Sequence, residues 1–214
     1  MKPIAIYGAG GLGREVLMLV RQINEYQGYW NPIGFFDDNL LEGKMVDGIP
    51  VLGNISGLNS HKEALTIVIA LGDPVSKRNA FQKIANPAIS FATLVHPSVQ
   101  LAGYQDFRIG EGSIIGSGNI ITVGVSIGRH VLINLNNTIG HDVAIADFAS
   151  VMPGCNISGE VVIKEGVYVG TGAAIINRVT IDCYAKIGAG AVVLNDIAEN
   201  TTAVGVPAKT VTNQ

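Results

Sequence analysis

The chain has 214 residues, of which 48% are hydrophobic and 14% charged, with a formal net charge of −3 at neutral pH. So apolar a composition excludes a disordered chain, and the acidic balance excludes a nucleic-acid binder held by its overall field. No apolar run reaches the roughly 18 residues of a membrane span, and no signal-peptide pattern precedes the first strand, so a cytoplasmic protein is expected.

Residues 3–7 read as a short buried strand, followed by Gly8-Ala9-Gly10-Gly11-Leu12-Gly13 and a helix opening at Arg14. Strand, glycine turn and helix together form the context that a GxGxxG pattern requires. Residues 32–36 give a second strand ending in Asp37-Asp38, and residues 65–71 a third, ending at Gly72-Asp73-Pro74. Asp73-Pro74 starts another helix through Lys77, Arg78, Phe81 and Ile84. Residues 89–95 form a last strand. Residues 1–95 are therefore expected to be a small α/β domain with a parallel sheet and Rossmann-like logic.

Ligands of such sheets lie at the carboxyl ends of the strands. Gly10, Gly11 and Leu12 let backbone N–H groups approach a phosphate at a helix N-terminus. Asp37 and Asp38 can accept from sugar hydroxyls or a base N–H, and Gly72 leaves room. Arg14 can add charge near phosphates or sit on the surface. The alternatives are a plain tight turn at Gly8–Gly13, or a nicotinamide dehydrogenase, against which stands the absence of a second mononucleotide half.

His96-Pro97-Ser98 marks a junction, because a residue before proline is held extended. Residues 102–108 are out of phase with the repeat that begins at Ile109 and are expected to form an irregular loop or capping turn. From Ile109 to Val193 every sixth residue is Ile or Val, fifteen times in succession. That period fits neither an α-helix nor one long strand. It fits a parallel β-helix of hexapeptide repeats, with three hexads per triangular coil and coils stacked roughly 4.8 Å apart. A second, smaller inward position falls two residues before each next landing, from Ser113 through Asn119, Asn137 and Cys155 to Ile197. Turn residues at Gly116-Ser117-Gly118, Asn136, Gly140 and Asn195-Asp196 are assigned to the corners. The pattern is expected to run out after Val193.

Of the four histidines, His61 reads as solvated and His96 as structural, while His130 and His141 fall in the prism. His141 lies two residues after Ile139, at an outward corner, and Asp142 follows it. Such a carboxylate can hold the ring tautomer and raise imidazole basicity, which suits a general base. The residue one coil later is Gly159, expected to leave a groove for a slim ligand arm. A plain surface histidine at a turn is the competing reading. Cys155 and Cys183 form no CxxC and no disulfide framework. Neither lies in register with His141, so neither is expected to act with it as a covalent nucleophile.

Five motifs, IYGAGGLGRE, GFFDDN, IALGD, IGHDVAIADF and AVGVPAK, span nearly the whole chain. Together they resemble the PglD/NeuD-like sugar acetyltransferases. The resemblance implies an α/β N-terminal Rossmann-like domain followed by a left-handed parallel β-helix, with domains at 1–95 and 96–214. It implies an acetyl-CoA-dependent transfer of acetyl to the amine of a UDP- or dTDP-linked 4-amino-4,6-dideoxy sugar, without a metal. His141 falls on the family's general base, Asp142 on its acidic partner, and Asn134 on a residue that aligns the acceptor. The nucleotide-sugar positions match Gly10, Gly11, Leu12, Asp37, Asp38 and Gly72. The acetyl-CoA positions match Ser150, Gly159, Gly170, Thr171 and Ala189, and amides near the Gly159 and Gly170 corners are expected to hold the oxyanion. Some members carry a second histidine where this chain has Ser150. The resemblance further implies a homotrimer with sites between subunits, while the charge balance and the lack of a long apolar run lead to the expectation of no nucleic-acid or membrane partner.

Three other readings remain open: O-acetylation of a sugar hydroxyl such as that of a sialic acid, a zinc hydratase, and a non-catalytic nucleotide-binding scaffold. The hydratase needs three converging histidines. His130 and His141, eleven residues apart, belong to different corners.

Overall fold

The computed structural model of the chain describes residues 1–211. It divides into two compact units, Met1–Leu94 and a second beginning at Val95. The last residues of the expected second domain, 212–214, lie outside the described ones.

The first unit runs β1 (Lys2–Tyr7), α1 (Gly11–Gln27), β2 (Trp30–Phe36), β3 (Met45–Val46), β4 (Ile49–Gly53), α2 (Ile55–Asn59), β5 (Leu65–Ile69), α3 (Pro74–Lys83) and β6 (Ile89–Phe91). The sheet order is β3-β4-β2-β1-β5-β6, with every pairing parallel except β3–β4. All of β5 is buried, which is why it reads as an unbroken apolar run rather than an alternation. On α1, Val16, Leu17, Leu19, Val20 and Ile23 recur at helical spacing and are buried, and Gly28 ends the helix in the left-handed region. Asp73 caps α3, its Oδ1 accepting from the Ser76 N–H at 2.8 Å, with Pro74 at the first helical position.

Several boundaries differ from expectation. Helix α1 starts at Gly11, because the glycine turn itself supplies the first helical turn. β5 stops at Ile69, and the expected strand over 89–95 breaks into Ile89–Phe91 and Leu94–Val95. The hairpin β3–β4 was missed. Its turn is Asp47-Gly48, both at positive φ, and Asp-Gly between apolar residues is a readable hairpin signal.

The second unit is a left-handed parallel β-helix. Its repeat strands, from Arg108–Ile109 to Val192–Val193, are two residues long and stack on one another at a separation of eighteen residues, as in Ile121↔Ile139, Ile139↔Ile157 and Ile157↔Ile175. Three faces result. The first carries Ile114–Ile115, Leu132–Ile133, Ser150–Val151, Tyr168–Val169 and Lys186–Ile187. The second carries Ile120–Ile121, Thr138–Ile139, Asn156–Ile157, Ala174–Ile175 and Val192–Val193. The third carries Arg108–Ile109, Ser126–Ile127, Ala144–Ile145, Val162–Ile163 and Thr180–Ile181. Every landing from Ile115 to Val193 is buried, Ile109 is half-buried, and the second inward position is buried from Ser113 to Ile197.

The corners correct the turn assignment. The left-handed residue recurs every six positions, three after each landing, through Gly112, Gly118, Gly124, His130, Asn136, Asp142, Phe148 and onward to Gly190. Gly118 and Asn136 fit the expectation, whereas Gly116, Gly140, Asn195 and Asp196 are not in that region. Gly140 is needed for another reason: a Cβ there would lie 2.6 Å from the Gly159 nitrogen. The left-handed residue costs roughly 1–2 kcal/mol where it is not glycine. At Phe148 and Tyr184 ladder bonds to Arg129 O and Glu165 O hold it in place.

The out-of-phase segment holds a short 3₁₀ turn at Gly103–Gln105. At the other end the coil continues past the expected limit. Thr202–Val204 pairs parallel to Lys186–Ile187, putting Ala203 in the core, and Lys209–Val211 folds back antiparallel. His96 is structural as expected, its Nδ1 accepting from the Ser98 N–H at 3.0 Å. Among the described residues no helix is long and apolar enough to cross a membrane.

Candidate functional site

The edge between the second and third faces carries the chemistry-bearing pair. The six-residue period puts His141 just past the end of the Thr138–Ile139 strand and Asp142 at the left-handed turn position, with φ of 57°. Their backbone is fixed on both sides: the Asp142 N–H donates to Val123 O at 2.9 Å, and His141 O accepts from the Glu160 N–H at 2.8 Å. The His141 Nδ1 and Asp142 Oδ2 are 2.9 Å apart, with side chains 57% and 64% exposed. A carboxylate on Nδ1 makes that nitrogen the donor and leaves Nε2 the basic one.

The imidazole leans toward Gly159, one coil on. A Cβ at Gly159 would fall on Nε2 and Cε1. The space above this glycine is thus filled by the ring itself rather than by an open groove, as the sequence had suggested. Asp142 leans the other way, onto Gly124.

The remaining expected residues of the prism lie elsewhere. Asn134, Gly170, Thr171 and Ala189 follow strands of the first face, so they share the edge between the first and second faces. A Cβ at Gly170 would lie 2.6 Å from the Ala189 nitrogen, and the Gly170 N–H is committed to Ile187 O at 2.8 Å, which removes it as an oxyanion donor. Ser150 is fully buried within its strand. One chain therefore joins Gly159 to His141 and Asp142, but not Asn134, Ser150, Gly170, Thr171 or Ala189. His130 sits on the third edge, buried and stacked on Phe148 with ring centroids 5.4 Å apart. Cys155 is buried inside the prism, where burial pushes its thiol up, away from thiolate chemistry. No group of three His, Cys, Asp or Glu able to hold a metal occurs among the described residues.

The first unit has its own cleft, about 340 Å³, lined by Tyr7, Gly8, Asp37, Asp38, Asn39, Leu71, Ser76, Asn79, Ala80 and Lys83. It opens where β1 and β5 end, and β1 is the strand at which the sheet order reverses. Such switch points are where open α/β sheets bind ligands. Asp37 Oδ2 accepts from the Ala9 N–H and Oδ1 from the Asn39 N–H, each at 2.8 Å. Asp38 Oδ2 accepts from Tyr7 Oη at 2.7 Å and Oδ1 from the Ile55 N–H at 2.8 Å. Burial first, then the Asp38 hydrogen bond and the two carboxylate charges, push the Tyr7 phenol up, so it stays a donor. On α3, buried Lys77 is pushed down to about 7 by desolvation, which Asp73 opposes.

Of the expected nucleotide residues, Asp37 and Asp38 line this cleft, whereas Gly10, Gly11, Leu12 and Gly72 do not. Gly8 and Gly13 are demanded by the fold itself: Gly8 has φ of 103°, and a Cβ at Gly13 would collide with the Gly8 carbonyl. Gly10 and Gly11 face open space, so nothing in the chain requires glycine there. Arg14 is exposed and paired with Asp47 at 2.9 Å rather than held toward a phosphate. Tyr7, Ser76, Asn79 and Lys83 went unnoticed in the sequence. The last three recur at i, i+3 and i+7 on α3, a polar helical stripe that was there to be read.

Residues 3–84 match the PglD N-terminal domain family. The chain is 31% identical over 159 residues to a GDP-perosamine N-acetyltransferase of Escherichia coli O157:H7, covering 73% of this chain and 71% of that protein. Among solved structures it is similar to PerB from Caulobacter crescentus in complex with CoA and GDP-perosamine, at 27% identity, TM-score 0.90, and 99% and 98% coverage of the two chains. It is also similar to the acetyltransferase domain of PglB from Neisseria gonorrhoeae in complex with acetyl coenzyme A, at 29% identity, TM-score 0.86, and 98% and 99% coverage.

Proposed function

Because this chain belongs to the PglD/NeuD-like family of acetyl-CoA-dependent sugar N-acetyltransferases, we propose that it moves acetyl from acetyl-CoA to the amine of a nucleotide-linked amino sugar, with His141 as general base. The supporting observation is the exposed His141–Asp142 pair, 2.9 Å apart on the edge of a rigid prism. Asp142 holds Nδ1, and Nε2 takes a proton from the amine as its nitrogen attacks the thioester. Amines near neutral pH are mostly protonated, and a positioned base contributes typically ~10² to 10⁴ in rate. Coenzyme A thiolate leaves, without a covalent acyl-enzyme. With the Gly170 amide committed, the oxyanion donor is sought at Gly159.

The acceptor's nucleotide is held in the first unit, with Asp37 and Asp38 toward its hydroxyls or base and the open backbone at Gly10, Gly11 and Leu12 toward its phosphates. The donor groove lies between neighbouring chains of a homotrimer. Support for this comes from the two separate edges. His141 and Gly159 occupy one, and Asn134, Gly170, Thr171 and Ala189 occupy another, so a neighbouring chain is needed to complete the set.

The experiment is a screen of amino sugars on UDP, dTDP and GDP with acetyl-CoA, read as released thiol. GDP joins the two nucleotides expected from sequence because relatives are named for GDP-perosamine. Turnover with an amino acceptor, and not with the matching hydroxy sugar, is expected. Release with the hydroxy sugar alone would replace the reading with O-acetylation, and no release with any acceptor would favour a scaffold.

A further inference from the structure

Amid Ile, Val and Ala, the prism core contains two buried asparagines one coil apart, Asn119 and Asn137. Polar groups at such depth are costly unless fully bonded, and these are bonded to one particular target. Asn119 Nδ2 donates to Asn134 O at 2.6 Å and to Gly116 O at 2.8 Å. Asn137 Nδ2 donates to the same Asn134 O at 3.0 Å and to Asn119 Oδ1 at 3.0 Å. Asn119 Oδ1 also accepts from the Asn137 N–H at 2.9 Å, and Asn137 Oδ1 from the Cys155 N–H at 2.7 Å. The Cys155 thiol carries the column on to Gly170 O at 3.2 Å.

Asn134 is the point on which these bonds converge. Its carbonyl takes two side-chain donors from the core, its N–H donates to Val151 O at 2.9 Å, and its Oδ1 accepts from the Leu135 N–H at 2.8 Å. Asn134 itself is half-buried on its edge, with its Oδ1 committed to the backbone. Farther along the same column the inward residues are Ala173 and Ala191, and their edge carbonyls, Gly170 O and Gly188 O, receive backbone N–H bonds at 3.2 Å, the former together with the Cys155 thiol. An edge of this prism thus closes without an internal amide. The amides occur where Asn134 stands.

We propose that Asn119 and Asn137 are positioning residues for acyl transfer, acting through Asn134 by fixing its main chain from inside the prism. The inference rests on the proposed function, in which Asn134 aligns the acceptor. It goes further by assigning a catalytic consequence to two residues that no ligand can touch. A displacement near 1 Å at a group that aligns reactants can cost on the order of 100-fold in rate, so a partial loosening is expected to cost about tenfold.

The test is a double-mutant cycle on kcat in the full-length protein. Asn137→Ala copies the occupant of the same column at Ala173. It is expected to lower kcat about tenfold with the KM for acetyl-CoA within about twofold, and to cost nothing more when combined with Asn134→Ala. At the companion position Asn119→Ala is expected to act likewise and Asn119→Ser to restore most of kcat, because serine already makes the pair of bonds that Asn119 makes with Asn134 O and the Asn137 N–H: Ser113 Oγ donates to Gly128 O and accepts from the Val131 N–H in the same register. Should Asn137→Ala not fold, Asn119→Ala and Asn119→Ser run the same cycle. Equal losses with Asn134 intact and with Asn134→Ala in place, or a loss that tracks melting temperature and is not restored by serine, would overturn the positioning role alone. Near-full kcat for Asn134→Ala would instead remove Asn134 from the reaction and overturn both this inference and its premise there, while leaving His141 in place.

Discussion

At position 159 a single methyl group is enough to disturb the site. The glycine Cα lies under the His141 ring, so a Cβ must displace the imidazole from the place where Asp142 holds it. The displaced atoms belong to an exposed side chain, so the backbone need not move. Gly159→Ala is therefore expected to lower kcat about tenfold or more while leaving the melting temperature nearly unchanged, measured on the same preparation. Unchanged turnover would mean that the ring position seen here is not the working one. The His141–Asp142 pair and its coil partner Gly159 were legible from six-step counting alone. The direction in which the ring leans was not, because periodicity assigns a residue to a column without saying which neighbour it covers. The turn position was misread at Gly116 and Gly140 for a related cause. Glycine is needed there for close coil-to-coil approach, whereas His130, Phe148 and Tyr184 occupy left-handed backbone that composition alone would reserve for glycine.

For the elements, the glycine-rich turn separates into two functions. Gly8 and Gly13 belong to the fold: Gly13 on α1 sits against the Gly8 carbonyl at the end of β1. Gly13→Ala must push helix from strand and is expected to destabilise the first unit by about 1–3 kcal/mol, read as a lowered melting temperature. Gly10 and Gly11 have room to spare, so alanine there should be thermally silent, and under the proposed function it is expected to weaken nucleotide-sugar binding, measured by titration. The strand-glycine-helix order was visible in the sequence. The β3–β4 hairpin and the 340 Å³ cleft were not. The first left only its Asp47-Gly48 turn to read, with β3 two residues long. The second depends on how α3 is rotated about its own axis, which Ser76, Asn79 and Lys83 encode only as a weak polar stripe.

On the scale of the whole molecule, an Ile/Val ladder at a spacing of six gives a rod with three edges, and the edges divide the work. One presents the exposed His141–Asp142 pair proposed as the general base, another an asparagine bonded by core amides together with close-packed glycines, and a separate α/β unit holds a cleft at its topological switch point. The ladder was nearly all legible, because burial on a two-residue strand leaves no choice but Ile or Val inward. The extra partial coil at Thr202–Val204 was not, since Ala203 enters the core out of step with the sixes. All of this bears on catalysis only if the imidazole at 141 carries the proton. The most direct test measures turnover and acetyl-CoA affinity together on His141→Ala, with an amino-sugar nucleotide as acceptor. The expected result is a fall in kcat of ~10² to 10⁴ with acetyl-CoA binding held within a few-fold. A variant that turns over at close to the wild-type rate would take the proton transfer away from His141 and leave the prism edge without its assigned chemistry.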